Sequence, residues 1–265
     1  MSEVIIHETS IVSPEAQLGR NVEIGPYCII GDKVKLGDGA RLRSHVTMEG
    51  NVTVGENVQI YQYTNIGNPP QDLSYKDEDT RVEIGDNCII REFSSIHRGT
   101  PKDNGVTKVG NNVYLMAYVH LAHDCILGNN VMFVNGVQCA GHVKIGDNAR
   151  ISGHSKMTQF VTIGRNAFIG GDSTIDKDIP DYCTAYGNRA RLKGINIIGL
   201  KRAGFSKANI TEVVDFYRTM EASALSPRAF VSHPELMEDY VDNKIIQDIS
   251  SFISVSEIGI APFWD

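Results

Sequence analysis

Aliphatic residues recur at every sixth position along most of this chain. From Ile6 the series reads Val12, Leu18, Ile24, Ile30, Leu36, Leu42, Met48, Val54, Ile60 and Ile66. It resumes at Ile84, Ile90 and Ile96, and again from Val109 through Leu115, Leu121, Leu127, Phe133, Cys139, Ile145, Ile151, Met157, Ile163, Ile169 and Ile175. A period of six matches neither an amphipathic helix, which repeats every 3.6 residues, nor an alternating strand. It predicts a solenoid of parallel β-structure in which each short strand turns one aliphatic side chain inward. Gly- and Asn-containing corners, tolerant of positive φ, then turn the chain to the next face, as after Ile24, Ile30, Val54, Leu127 and Ile163. Three faces make one coil of 18 residues. Each coil rises by about one strand spacing, ~4.8 Å, and buries its aliphatic residues on the coils above and below. The spacing itself leaves the handedness open.

Two segments lack inward aliphatic residues at the expected register, at 69–80 and roughly at 99–106. Both are predicted to be loops that project from the prism. With them excluded, Ile66, Ile96, Leu121, Cys139 and Met157 fall on one face, and both loops leave the column that carries His123. Beyond Pro180 the period of six stops and helical signals begin. Ser206 is placed as an N-cap with Phe205 stapling onto Ile210, and Ile210, Val213, Val214 and Tyr217 form an apolar face. Pro234 is expected to open a second helix whose stripe comprises Leu236, Tyr240, Val241, Ile245, Ile249, Phe252 and Ile253. The predicted organisation is a solenoid over residues 1–188 and a helical region over residues 189–265 that caps its open end.

Composition narrows the function. The 265 residues carry a net charge of −7, with 42% hydrophobic and 22% charged residues, a globular mixture. The negative balance disfavours nucleic acid as a partner. No stretch approaches the ~20 apolar residues of a membrane span, and the start lacks the basic and apolar regions of a signal peptide, so a cytoplasmic location without membrane insertion is expected. Five scattered cysteines suggest neither disulfides nor a zinc cluster. One stretch departs from the overall charge: Arg189, Arg191, Lys193, Lys201, Arg202, Lys207 and Arg218 face only Glu212 and Asp215 between Gly187 and Met220. Such an island suits an acidic or phosphorylated partner, although charge runs often only solvate a face.

The segment from His120 to Cys125 holds the candidate chemistry. Leu121 is the inward residue, and His120, His123 and Asp124 crowd around it. Adding 18 to 123 gives Gly141 and then Gln159, and adding 18 to 124 gives His142, so these residues are expected side by side on adjacent coils. A carboxylate beside an imidazole orients it and raises its basicity, as a general base for a hydroxyl nucleophile requires. A neighbouring glycine offers its N–H to an oxyanion. The competing readings are surface histidines on a corner, or a zinc site built from His120, His123 and His142. No metal is expected. His97 lies near the second loop and is a further pocket candidate.

The sequence resembles the UDP-N-acetylglucosamine O-acyltransferases within the hexapeptide-repeat acyltransferases. The matching stretches include Pro70-Gln71-Asp72-Leu73, Ile96-His97-Arg98-Gly99-Thr100, His120 to Cys125, Ala140-Gly141-His142, Gln159-Phe160, Tyr186-Gly187-Asn188 and Gly194 to Arg202. The resemblance implies a left-handed parallel β-helix and a homotrimer with active sites between neighbouring prisms. It also implies transfer of a (3-hydroxy)acyl chain from acyl carrier protein to the 3-hydroxyl of UDP-N-acetylglucosamine, the first step of lipid A biosynthesis. His123 would be the general base, Asp124 its orienter and the Gly141 N–H the oxyanion donor. Gln71, Asp72, His120, His142 and Gln159 would contact the sugar, Asn196 and Arg202 would reach the nucleotide and diphosphate, and Gly171 would leave the acyl groove open. No cofactor is implied beyond the carrier's phosphopantetheine, and the basic island would dock the carrier protein.

Ser74, Thr158, Arg189, Ile198 and Ala203 depart from the family pattern at substrate-facing positions. They leave open a related acyltransferase on a modified UDP-sugar such as the 3-amino analogue. An N-acyltransferase on a later UDP-sugar is disfavoured because the repeat begins at Ile6, without a preceding uridine-binding domain. A non-catalytic scaffold would have no use for a histidine and carboxylate beneath two polar loops.

Overall fold

The protein, a computed structural model, is described over residues 3–264. Three parallel sheets of eleven, nine and eight short strands form the three faces of a β-helix, followed by a C-terminal helical region. Through the coils, sequence neighbours lie on different faces and each strand pairs in parallel with the strand three elements away; only at the end of the first face, from Phe168–Ile169 through Cys183–Tyr186 to Arg191–Ile195, does this order change. On the first face Leu115, Phe133, Ile151 and Ile169 are in register, and on the third Leu127, Ile145 and Ile163. On the second face Ile66, Ile96, Leu121, Cys139 and Met157 stack in one column, with both loops absorbed between coils. All of these side chains are buried. Their burial removes apolar surface from water at roughly 25 cal/mol per Å², and no strand of two residues would hold without it.

The corners divide their work between residue types. One corner column takes positive φ at Asn57, Asn87, Asn112, Asn130, Asn148 and Asn166, while another takes it at Tyr27, His45, Tyr63, Phe93 and Tyr118. The aromatic column stacks on itself, with ring centroids 4.8–5.0 Å apart. The glycines that follow the inward aliphatic residue serve a different purpose from the one their turn-like context suggests. A Cβ on Gly37 would come within 2.5 Å of the Gly55 carbonyl carbon, and one on Gly110 within 2.6 Å of that of Gly128. Glycine is needed there because successive coils press backbone on backbone, and the left-handed turn falls two residues later, to Asn112 after Gly110 and to Gly39 after Gly37.

The chain leaves the β-helix after the expected boundary at residue 188. Arg191–Ile195 adds antiparallel to Cys183–Tyr186 on the first face, and the helices begin with α1 (Ile197–Arg202). An antiparallel hairpin does not follow the rise of the coil, so its residues fall off the period of six. Then come α2 (Lys207–Ala222), α3 (Pro227–Val231), α4 (Pro234–Met237) and α5 (Lys244–Val255). Ser206 caps α2 by accepting from the Asn209 N–H. The single helix expected from Pro234 is instead α4, a 3-10 turn at Glu238–Tyr240 and α5. Asn243 restarts the helix by accepting from the Ile245 and Ile246 N–H groups, and Val241, expected in the apolar stripe, is 60% exposed. Arg165 joins the two regions, with its guanidinium 2.5 Å from Asp181 of the β-helix and 3.2 Å from Asp248 of α5.

Ile151 is 1% exposed between Phe133 and Ile169. Ile151→Ala is expected to cost about 2–5 kcal/mol through lost burial and a residual cavity, whereas Val241→Ala is expected to cost under ~0.5 kcal/mol. Denaturant unfolding of the two variants at equal protein concentration checks this.

Candidate functional site

The second face ends in a corner where the sequence concentrates its polar chemistry. His123, Gly141 and Gln159 occupy one level of this corner on successive coils, and Asp124, His142 and Phe160 the next. Asp124, His142 and Phe160 all sit at φ between 60° and 68°. The His142 N–H donates to the His123 carbonyl at 3.0 Å, and the Phe160 N–H to the Gly141 carbonyl at 3.2 Å. The coil geometry itself therefore sets the rings one above another.

His123 and Asp124 are both buried, and His123 Nδ1 lies 2.8 Å from Asp124 Oδ2. Thr100 grips the same carboxylate from the second loop: its N–H donates to Oδ1 at 2.8 Å and its hydroxyl to Oδ2 at 2.7 Å. The Asp124 N–H donates to the Thr107 hydroxyl at 2.9 Å. Burial opposes the charge on Asp124, yet the bonds from His123 and Thr100 prevail and hold its carboxyl below the usual range. An ionised carboxylate only accepts, so the His123 proton sits on Nδ1 and leaves Nε2 to take a proton from a substrate. Gly141 presses on the ring, since a Cβ there would lie 2.4 Å from His123 Cε1 and 2.7 Å from Nε2. Its N–H makes no hydrogen bond among the described residues.

Around this pair stand further histidines. His142 is edge-on to His123 at 5.1 Å and stacked on Phe160 at 4.7 Å. Its Nε2 lies 3.7 Å from Asp124 and its Nδ1 3.4 Å from Asp103. His97 and His120 meet edge to face at 4.8 Å, with His120 Nδ1 bonded to the Ser95 hydroxyl at 2.8 Å. His97 is buried, and its Nδ1 has no hydrogen-bond partner. Burial, reinforced by His120 and His123, pushes the His97 ring down to about 4, and burial lowers His120 as well. Asp72 reaches Lys102 at 2.7 Å, while Gln71, Leu73 and Gln159 are exposed. Nothing in the sequence pattern marks Thr100, Thr107, Lys102 or Asp103 as functional. A threonine that holds Asp124, by its carboxylate as Thr100 does or by its backbone N–H as Thr107 does, reads in sequence like any strand or loop threonine.

Three sequence candidates lie elsewhere in the chain. Asn196 caps α1, accepting from the Gly199 N–H at 2.9 Å while its amide donates to the Asn166 carbonyl at 2.8 Å. Arg202 and Asn196 line a cavity of about 810 Å³ against the first face, with Arg150, Phe168, Tyr186 and Ile198 among its other walls. Gly171 follows Phe168–Ile169 at the corner between the first and second faces, where a Cβ would meet only the Gly153 carbonyl oxygen at 3.5 Å and Ser152 at 4.0 Å. One chain thus carries the histidine corner on one edge and the Asn196–Arg202 cavity against another face.

Residues 178–261 match the profile of the family described as "Udp N-acetylglucosamine O-acyltransferase; Domain 2", and residues 15–50 and 107–141 match "Bacterial transferase hexapeptide (six repeats)". The chain is 59% identical over 259 residues to an acyl-(acyl-carrier-protein) UDP-N-acetylglucosamine O-acyltransferase of Sulfurihydrogenibium sp. (strain YO3AOP1), covering 98% of this chain and 95% of that relative. The chain belongs to the UDP-N-acetylglucosamine O-acyltransferase family. A counterpart from Paraburkholderia xenovorans is 44% identical, with 96% of this chain and 98% of that one covered. The solved structure of the family member LpxA from Acinetobacter baumannii superposes with a TM-score of 0.92 at 42% identity, covering 97% of this chain and 99% of that chain.

Among the described residues of this family member, the side chains within mutual ligand distance are His123, Asp124 and His142, with donor atoms within 4.8 Å of one another. The set His120, His123 and His142 weighed from the sequence is not assembled, because His120 turns to Ser95. Within the assembled set, Asp124 is already committed to His123 and Thr100. That commitment suits an orienter better than a ligand.

The depressed His97 makes a pH prediction. Between pH 6.5 and about 4 the unfolded chain binds a proton on this ring that the folded chain does not. Stability is therefore expected to fall as pH drops through that window, by up to ~3 kcal/mol from this residue. In His97→Gln the slope of unfolding free energy against pH should flatten over the same range. An unchanged slope would contradict it.

Proposed function

We propose that the chain transfers an acyl group from the thioester of acyl carrier protein to the 3-hydroxyl of UDP-N-acetylglucosamine, the first step of lipid A biosynthesis. The observation that carries the reading is the buried His123–Asp124 pair with Gly141 packed on the imidazole. His123 Nε2 takes the hydroxyl proton as the oxygen attacks the thioester carbon. Asp124, fixed by Thr100, steadies the imidazolium that forms. The Gly141 N–H stabilises the oxyanion of the tetrahedral intermediate. Collapse expels the phosphopantetheine thiolate, which takes the proton back from His123. Family membership at full chain coverage supports this chemistry.

The acceptor contacts are assigned to Gln71, Asp72, His97, His120, His142 and Gln159, and the nucleotide and diphosphate to Asn196 and Arg202. Because the corner and the cavity lie on different parts of one chain, the complete site is assigned to the junction of two chains in a trimer. Cyclic, head-to-tail contacts bring different surfaces of neighbouring copies together. The acyl chain would run along the groove left open at Gly171. Lys201, Arg202 and Lys207 are exposed at the helical end and offer positive charge to the acidic carrier. Within the same basic island, Arg189 and Arg218 pair with Asp176 and Asp215.

His123→Ala is expected to lower kcat by about 10²–10⁴-fold in transfer from 3-hydroxyacyl carrier protein to UDP-N-acetylglucosamine. Lack of transfer by the folded wild type would overturn the activity itself. Co-refolding inactive His123→Ala chains with inactive Arg202→Ala chains is expected to restore roughly a quarter of the sites, because a shared site can draw each intact residue from a different copy. Absence of recovery would place the whole site within one chain.

A further inference from the structure

The second loop touches three of the proposed site residues within four positions. Thr100 binds Asp124, Lys102 Nζ lies 2.7 Å from Asp72 Oδ2, and Asp103 Oδ2 lies 3.4 Å from His142 Nδ1. The first loop is pinned at its base: Arg98 donates to the Gly67 carbonyl at 2.8 Å and to the Tyr75 hydroxyl at 3.0 Å, and that hydroxyl donates to the Glu78 carbonyl at 2.6 Å. At Asp72 the pinning is different. Oδ1 accepts from the Ser74 N–H and hydroxyl of its own loop, each at 2.8 Å, and Lys102 is the contact to Asp72 from the opposite loop.

We propose that Lys102 is a positioning residue for the nucleotide-sugar acceptor, bridging the two loops so that the Asp72 carboxylate faces the site in one fixed orientation. A carboxylate has about four lone-pair sites, and three are filled here. The fourth remains for a sugar hydroxyl, so the acceptor binds without displacing the lysine. Lys102, then the Ser74 bonds, hold the Asp72 carboxyl well below the usual range, which keeps it an acceptor throughout the working pH range. Without Lys102, Asp72 loses its cross-loop tie and must be ordered at the moment of binding, a cost that appears as weaker affinity. The proposal takes its ligand from the acyltransferase reading above, while the loop geometry is independent of that reading.

The test compares Lys102→Met and Lys102→Arg with the wild type, using calorimetric titration with UDP-N-acetylglucosamine and steady-state kinetics. Lys102→Met is expected to raise the acceptor Kd and KM about fivefold. The kcat and the KM for the acyl carrier protein should stay within about twofold, as should every parameter of Lys102→Arg. A Met variant that binds the nucleotide sugar as tightly as the wild type overturns the proposal, and so does a fall in kcat with acceptor KM unchanged. If the wild type binds the sugar without transferring an acyl group, and Lys102→Met still weakens binding, the enzymatic reading fails and the positioning role stands. If the wild type does not bind the sugar, both fail.

Discussion

The rest of this structure depends on coil-on-coil stacking of aliphatic side chains at a sequence offset of 18 residues. Most strands contain only two residues, too few to be stable in isolation. Each is held by parallel hydrogen bonds to the coils on either side and by an inward side chain locked between two others. Stability is thus shared along the axis, close to a chain of nearest-neighbour terms. The same stacking demands glycine where backbones touch and asparagine or an aromatic where the chain turns left-handed.

That regularity is what makes a precise site possible on short elements. Residues that share a corner position are placed over one another by the backbone, so His123, Gly141 and Gln159 need no individual device to meet. The departures from regularity then supply what a smooth prism cannot. The loop after His97 brings Thr100 onto Asp124 and Lys102 onto Asp72. The first loop brings Asp72 over the same edge. Electrostatics follow from this arrangement: a carboxylate is kept ionised by donated hydrogen bonds despite burial, while removal from water lowers the buried His97 ring and the half-buried His120 ring and favours their neutral forms.

The helical region closes the opposite part of the problem. It is fixed to the last coils by Arg165 and by the C-terminal segment, whose Ala261 N–H donates to the Asp178 carbonyl at 2.9 Å and whose Trp264 N–H donates to the Leu192 carbonyl at 2.8 Å. Through α1 it presents Asn196 and Arg202 beside a cavity away from the histidine corner. Under the proposed function, this separation leaves the two regions to be brought together by neighbouring copies of the chain.

The sequence by itself determined the three-sided β-helix, since a period of six over so many coils fits neither a helix nor an alternating strand, and an ordinary sandwich would need the spacing to recur by accident at every coil. It also determined the alignment of His123 with Gly141 and of Asp124 with His142, since both follow from adding one coil length. The family resemblance added the expected roles of these residues, which no periodicity contains. What only the tertiary structure decided lies where the chain leaves the period. The hairpin at Arg191–Ile195 pairs antiparallel and so falls out of register, and the helix expected after Pro234 breaks because Asn243 caps a new one. Thr100, Lys102 and Asp103 sit in a loop whose path no repeat encodes, so their meeting with Asp124, Asp72 and His142 required the folded loop. Asn196, read as a ligand contact, is tied to the α1 N-terminus and to the Asn166 carbonyl, a bond that depends on two segments 30 residues apart. Local repetition is written into a sequence, whereas contacts across loops and between domains exist only once the coils have fixed where each segment ends.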